Sequence, residues 1–166
     1  LRFKQDNIEN EDEAKLWLES ATDAMYTAFN RSNFQQEIFE LYHDLITFGT
    51  AAMFIEEDEE DFIKFSTRHI DEVYIAENDK GRIDTIYRRF NLSARAVVQK
   101  FGASVSQDIL VLEKKDPYKE VEIIHAVYPR SDFNPTKKDK KNMPFESVYM
   151  EYKNGNELSV SGFKEF

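Results

Sequence analysis

The chain has 166 residues, with 22 Lys+Arg against 32 Asp+Glu and a formal charge of −10. Its 14% aromatic content, five Gly, four Pro and no Cys exclude a disordered polymer, a collagen-like repeat, disulfides, thiolate metal sites and a Cys nucleophile. The length suits one ordinary domain, and the acidic balance argues against a free-standing domain that grips nucleic acid phosphates.

The first third has helical periodicity. Ala14, Trp17, Leu18, Ala21, Ala24, Met25, Ala28 and Phe29 fall at steps of three and four, the stripe of an amphipathic helix. Asn10 with Glu13 has the spacing of a capping box, and Ser32 with Gln35 repeats it after a break at 30–33. Phe34, Ile38, Leu41, Tyr42, Leu45 and Ile46 form a second stripe that stops near Gly49. A break this short predicts antiparallel neighbours, with both stripes facing one core.

Strand patterns follow. Ala51 to Ile55 and Phe62 to Phe65 are apolar runs on either side of six acids, Glu56, Glu57, Asp58, Glu59, Glu60 and Asp61. Six like charges repel and suit a solvated loop. Val73 to Ala76 and Arg82 to Phe90 flank Asn78-Asp79-Lys80-Gly81, the pattern of a hairpin. Ser93 is placed to cap a short helix closed by Gly102, and Ser106 to cap another ended by Asp116-Pro117. Val121 to Val127 is a strand, and 129–142 a long polar loop. Val148 to Tyr152 and Glu157 to Val160 flank Asn154-Gly155, which suits a type I′ turn. The fold class expected is α+β: two N-terminal antiparallel helices (1–49, a helical hairpin), then mainly antiparallel strands with short intervening helices (50–166), in a single domain. No stretch reaches the roughly 18 consecutive apolar residues of a membrane span, and no signal peptide is visible. A chain opening on Leu1 is expected to be a processed product or a fragment.

Few residues suggest chemistry. There is no HExxH, Walker A, GxGxxG or GxSxG pattern. His43 and His125 are expected to be packing residues. The acidic run offers oxygens to Ca²⁺ or Mg²⁺ but lacks the spacing of an EF-hand loop, so a solvated tip is the better reading. Glu151-Tyr152-Lys153 at a strand end, with Asp132 upstream, has the loose form of an Mg²⁺-dependent nuclease site. Lys137, Lys138, Lys140 and Lys141 make a basic loop, either solvated or suited to nucleic acid phosphates or an acidic protein face. Residues 1–80 hold 7 basic and 20 acidic residues, and residues 81–166 hold 15 and 12. Such oppositely weighted halves could mate head-to-tail between copies or pack within one subunit. A generic acidic protein-binding adaptor is a further alternative.

One resemblance spans most of the chain. Leu41 to Met53 resembles the helix-into-strand passage of portal proteins, the head-to-tail connectors of short-tailed, podovirus-type bacteriophages. Ser66 to Asn78, Gly81 to Phe90, Ala94 to Gly102, His125 to Arg130 and Ser161 to Phe166 are similar to later family segments, in the same order. The resemblance implies a structural, non-catalytic subunit of a dodecameric ring at one capsid vertex, without cofactor or metal, through which DNA enters and leaves. It implies capsid, packaging terminase and tail proteins as partners, no membrane, assembly in the host bacterial cytoplasm and residence in the virion. It also implies that this segment is the outer, wing-like part of a longer subunit. The acidic run 56–61 and Lys137, Lys138, Lys140 and Lys141 are the expected subunit or partner contacts.

Overall fold

Two helices and a hairpin come first in the computed structural model, which describes residues 12–164 apart from 59, 61, 135 and 138. Helix α1 is Asp12–Arg31 and α2 is Phe34–Phe48. Strands β1 (Ala52–Asp58) and β2 (Phe62–Arg68) pair antiparallel, with Glu56 opposite Lys64. The chain divides into two compact units, one running to Ile70 and the other starting at Asp71. The change of periodicity at residue 50 therefore falls inside the first unit, where an aromatic cluster ties the hairpin to the helices. Phe29 stacks on Phe34 at 4.7 Å, and Phe65 meets both edge-on at 6.0 and 5.0 Å.

Polar side chains of α2 complete that tie. The Asn33 amide accepts from Phe65 N–H (2.9 Å) and donates to Phe65 C=O (2.8 Å). Glu37 accepts from Thr67 N–H at 2.5 Å, and the Thr67 hydroxyl donates to Glu37 C=O at 2.8 Å. The Ser32–Gln35 capping box does not form. The N-cap of α2 is Asn33, whose side chain bonds β2 and the Glu37 carboxylate but none of the helix N–H groups, while Ser32 Oγ accepts from Phe34 N–H. Asn10, of the other expected box, lies outside the described residues. Gly49, at φ 76°, closes α2 by donating to Leu45 C=O.

The two helical stripes do not share one closed core. Leu18, Ala21, Ala28, Phe29, Phe34, Ile38 and Leu41 are half-buried, but Trp17, Met25, Tyr42, Leu45 and Ile46 are exposed. A pair of helices over a two-stranded ribbon has too little surface to cover every stripe residue. The acidic run is also less of a loop than expected. Glu56, Glu57 and Asp58 belong to β1, and Phe62, at φ 67°, is the only described non-glycine residue in the left-handed region. Its ring lies 4.9 Å under the Arg31 guanidinium.

The second unit is a five-stranded antiparallel meander, β3 (Val73–Glu77), β4 (Ile83–Ser93), β5 (Glu120–Pro129), β6 (Phe145–Glu151) and β7 (Glu157–Phe163), in that spatial order. Helices α3 (Ala94–Phe101) and α4 (Gln107–Lys115) connect β4 to β5. They supply Ala94, Val97 and Ile109 to a core that also holds Phe90, Val105, Ile123 and Leu158. Burying Val97 and Ile123 completely contributes about 1.5–3 kcal/mol each. Ser93 caps α3 as expected, its hydroxyl accepting from Ala96 N–H at 3.3 Å. Gly102 closes that helix, and Asp116 closes α4. The α+β class, with helices first and mainly antiparallel strands after, is the observed one.

The turn between β6 and β7 differs from the expected two-residue type I′. Glu151 N–H donates to Asn156 C=O and Gly155 N–H to Glu151 C=O, giving a longer loop in which only Gly155 has positive φ (68°). Type I′ needs positive φ at both central residues. Asn154 stays out of that region because its side chain is used within the loop, bonding Glu151 and Asn156 N–H.

Candidate functional site

The residues singled out for chemistry separate into structural ones and surface ones. Glu151 is structural. It is 3% exposed, and its carboxylate accepts from Ser106 N–H (2.8 Å), Ser106 Oγ (2.7 Å), Asn154 Nδ2 (2.8 Å) and Asn156 Nδ2 (3.0 Å). Burial alone would raise its pKa, but these hydrogen bonds hold the carboxyl below its ordinary value. The carboxylate, rather than the expected hydroxyl of Ser106, thus serves the N-terminus of α4; Ser106 makes no side-chain cap bond of its own. With both oxygens taken and water excluded, Glu151 has no coordination position for Mg²⁺, and neighbouring Lys153 points to solvent. Among the described residues no group of three His, Asp or Glu side chains is placed to hold a metal.

The histidines divide similarly. His125 is buried, stacked on Tyr149 at 3.9 Å with Nε2 2.9 Å from Ser147 Oγ. Ser147 is itself buried, which fits a packing pair and not a nucleophile. His43 departs from the packing expectation: α2 presents it outward, 3.8 Å from Asp44. With His69, Phe39, Glu40, Asp44 and Thr67 it lines a groove of about 320 Å³ between α2 and β2. Sequence spacing did not mark this groove, because its two walls are more than twenty residues apart in the chain.

The charged segments lie on the surface. Glu57 and Glu60 are exposed, Glu56 and Asp58 half-buried, and Glu59 and Asp61 outside the described residues. Glu60 N–H donates to Asp58 Oδ1 at 2.9 Å, which tightens the tip. Lys137 and Lys140 are exposed; Lys138 and the side chain of Lys141 are outside what is described. The lysine loop is anchored at both ends. Arg130, nearly buried, pairs with Glu146 at 3.3 Å and with Asp132 at 3.8 Å. A Cβ on Gly162 would stand 2.4 Å from Lys140 C=O, so the loop backbone rests directly on β7. Beside this anchor, burial and the Glu146 carboxylate raise the Tyr128 pKa.

The described residues carry exposed charge beside exposed large apolar side chains, the character of an assembly surface. The family described as "Bacteriophage head to tail connecting protein" matches residues 1–166. The chain belongs to that family. It is 36% identical over 156 residues to the "Portal protein" of Salmonella phage epsilon15 and 31% identical over 156 residues to the "Probable portal protein" of Bordetella phage BPP-1. Each comparison covers 92% of this chain and 28% of the relative, so the chain spans little more than a quarter of the length of the curated relatives it matches. No helix among the described residues is long and apolar enough to cross a membrane.

Proposed function

We propose that the chain is part of a structural, non-catalytic subunit of a phage portal ring, the connector through which DNA is packaged and ejected. The match of the head to tail connecting family to the whole chain carries this reading, and the two portal relatives support it. The segment supplies the outer, wing-like part of a longer subunit that assembles as a dodecamer in the host cytoplasm and stays in the virion. Capsid, packaging terminase and tail proteins are its partners, and Glu56 to Asp61 with Lys137, Lys138, Lys140 and Lys141 are contact residues toward them or toward neighbouring subunits.

The test is to purify the longer parent chain in low salt and examine it by light scattering and electron microscopy. Rings are expected; a parent chain that stays monomeric overturns the proposal. The nuclease alternative gains nothing from the buried, fully hydrogen-bonded Glu151, and an Mg²⁺ nuclease assay comparing the chain with Glu151→Ala is expected to show no cleavage by either.

A further inference from the structure

The negative charge of the chain is confined to one unit. Through Ile70 there are 16 acidic and 6 basic residues, and from Asp71 onward the two signs number 16 each. The described cations of the first unit have neighbours within that unit. Lys15 pairs with Asp12 at 3.7 Å, Lys64 stands opposite Glu56, and Arg31 and Arg68 lie over the rings of Phe62 and Phe54. Among the described residues no lysine or arginine borders the α2–β2 groove, where Glu40 and Asp44 sit one helical turn apart. Two large apolar residues stand out beside them on α2, Phe39 at 74% exposure and Ile46 at 85%. They are seven residues apart and so share a helix face.

A surface with four exposed cations and similar apolarity lies at the α3–α4 corner of the second unit, interleaved with Glu113 and the exposed Asp116 and Glu120. Lys114 and Lys115 form the last turn of α4, and exposed Lys119 follows. Exposed Arg95 joins them, because its N–H donates to Pro117 C=O at 3.0 Å. Among the described residues none of these four cations forms an ion pair. Val111 and Tyr118 are 63% and 73% exposed beside them.

Each surface combines exposed charge with large apolar side chains, and the excess differs in sign: four cations against Glu113, Asp116 and Glu120 on the corner, Glu40 and Asp44 in the groove. We propose that they bind each other between copies of the chain: the α2 groove of one copy receives the α3–α4 corner of the next. The contact is heterologous, since an isologous one would set acid against acid and lysine against lysine. It rests on the ring reading above and names a pair of surfaces for it.

Sedimentation velocity of the 166-residue chain, over a concentration series at low and high salt, tests the proposal. Self-association is expected, weakening at least about tenfold as salt rises past screening. Glu40→Lys and Lys115→Glu should each raise the dissociation constant about tenfold or more. Both positions are exposed, and circular dichroism confirms the fold of each variant. Mixing the two variants should restore association, because each offers the reversed partner of the other; a contact between the units of one chain could not be rescued in this way. Phe39→Ser should weaken the association that remains in high salt. A chain that stays monomeric throughout, single reversals without effect, or a mixture that fails to associate would each overturn the contact. Introducing Glu40→Lys into the longer parent separates the two claims. Rings that persist unchanged discard this contact and keep the portal reading, whereas an unsubstituted parent without rings discards the portal reading.

Discussion

The two units use similar proportions of aromatic and aliphatic side chains to opposite ends. From Asp71 onward, ten apolar residues are buried among the helices and strands, with Val97 and Ile123 at their centre. Before Ile70, Phe65 is the only buried apolar residue among those described, while Trp17, Tyr26, Phe39, Tyr42 and Ile46 stay exposed. The second unit therefore has the interior of a domain that can hold itself together. The first is fastened by one aromatic cluster and a few side-chain-to-backbone hydrogen bonds, and its apolar face is left exposed. All of the excess negative charge lies on the unit with the open apolar face. A solvated, like-charged surface discourages indiscriminate association while keeping a cationic partner attractive.

Substitutions sharpen this contrast, because the single Trp, Trp17, reports on the first unit alone. Ile123→Ala should have the largest effect, about 3–4 kcal/mol lost from the second unit. Urea unfolding followed by circular dichroism reads it, and an equal shift in the Trp17 fluorescence transition would break the picture of two separately held units. Phe65→Ala should cost the first unit about 3 kcal/mol and move the Trp17 transition first. Glu151→Gln should cost the second unit about 2 kcal/mol at neutral pH, since it removes the charge that four donors point toward. Because the folded-state pKa of Glu151 is depressed, its contribution is complete above the unfolded value near 4.5 and is lost as pH falls through the folded value. The stability gap between the native chain and Glu151→Gln should accordingly close on acidification below about pH 4, and a constant gap would refute the assignment. Ser93→Ala should have the smallest effect, about 1 kcal/mol, from loss of the α3 cap.

What could be read from sequence was whatever is encoded within a few residues. The helix stripes, the Ser93 cap, Gly49 and Gly102 as helix ends and the Asn78–Gly81 turn all depend on neighbours in the chain, and all are found. What escaped depends on distant partners. Glu151 had the look of a metal ligand because its principal donor, Ser106, is 45 residues away. Asn33 had no evident role because Phe65 is 32 residues away. The Asn154-Gly155 pair was misleading since the Asn side chain found a use in its own loop. At the acidic tip the left-handed position fell on Phe62, where no glycine signals it. The candidate site was legible only as composition: the sequence showed where charge accumulates, but not that α2 and β2 together form a groove.

The bonds from Asn33 and Glu37 to β2 have one further consequence. A two-stranded ribbon has two open sides, and each invites another strand to add. On the β2 side, the amide of Asn33 mimics a neighbouring strand by answering both the N–H and the C=O of Phe65, and Glu37 takes the next outward N–H, that of Thr67. Along Phe65 and Thr67 that side is occupied by the side chains of Asn33 and Glu37. A sparsely cored, apolar-faced unit is thereby guarded on its β2 edge, where an incoming strand would first have to displace Asn33 and Glu37.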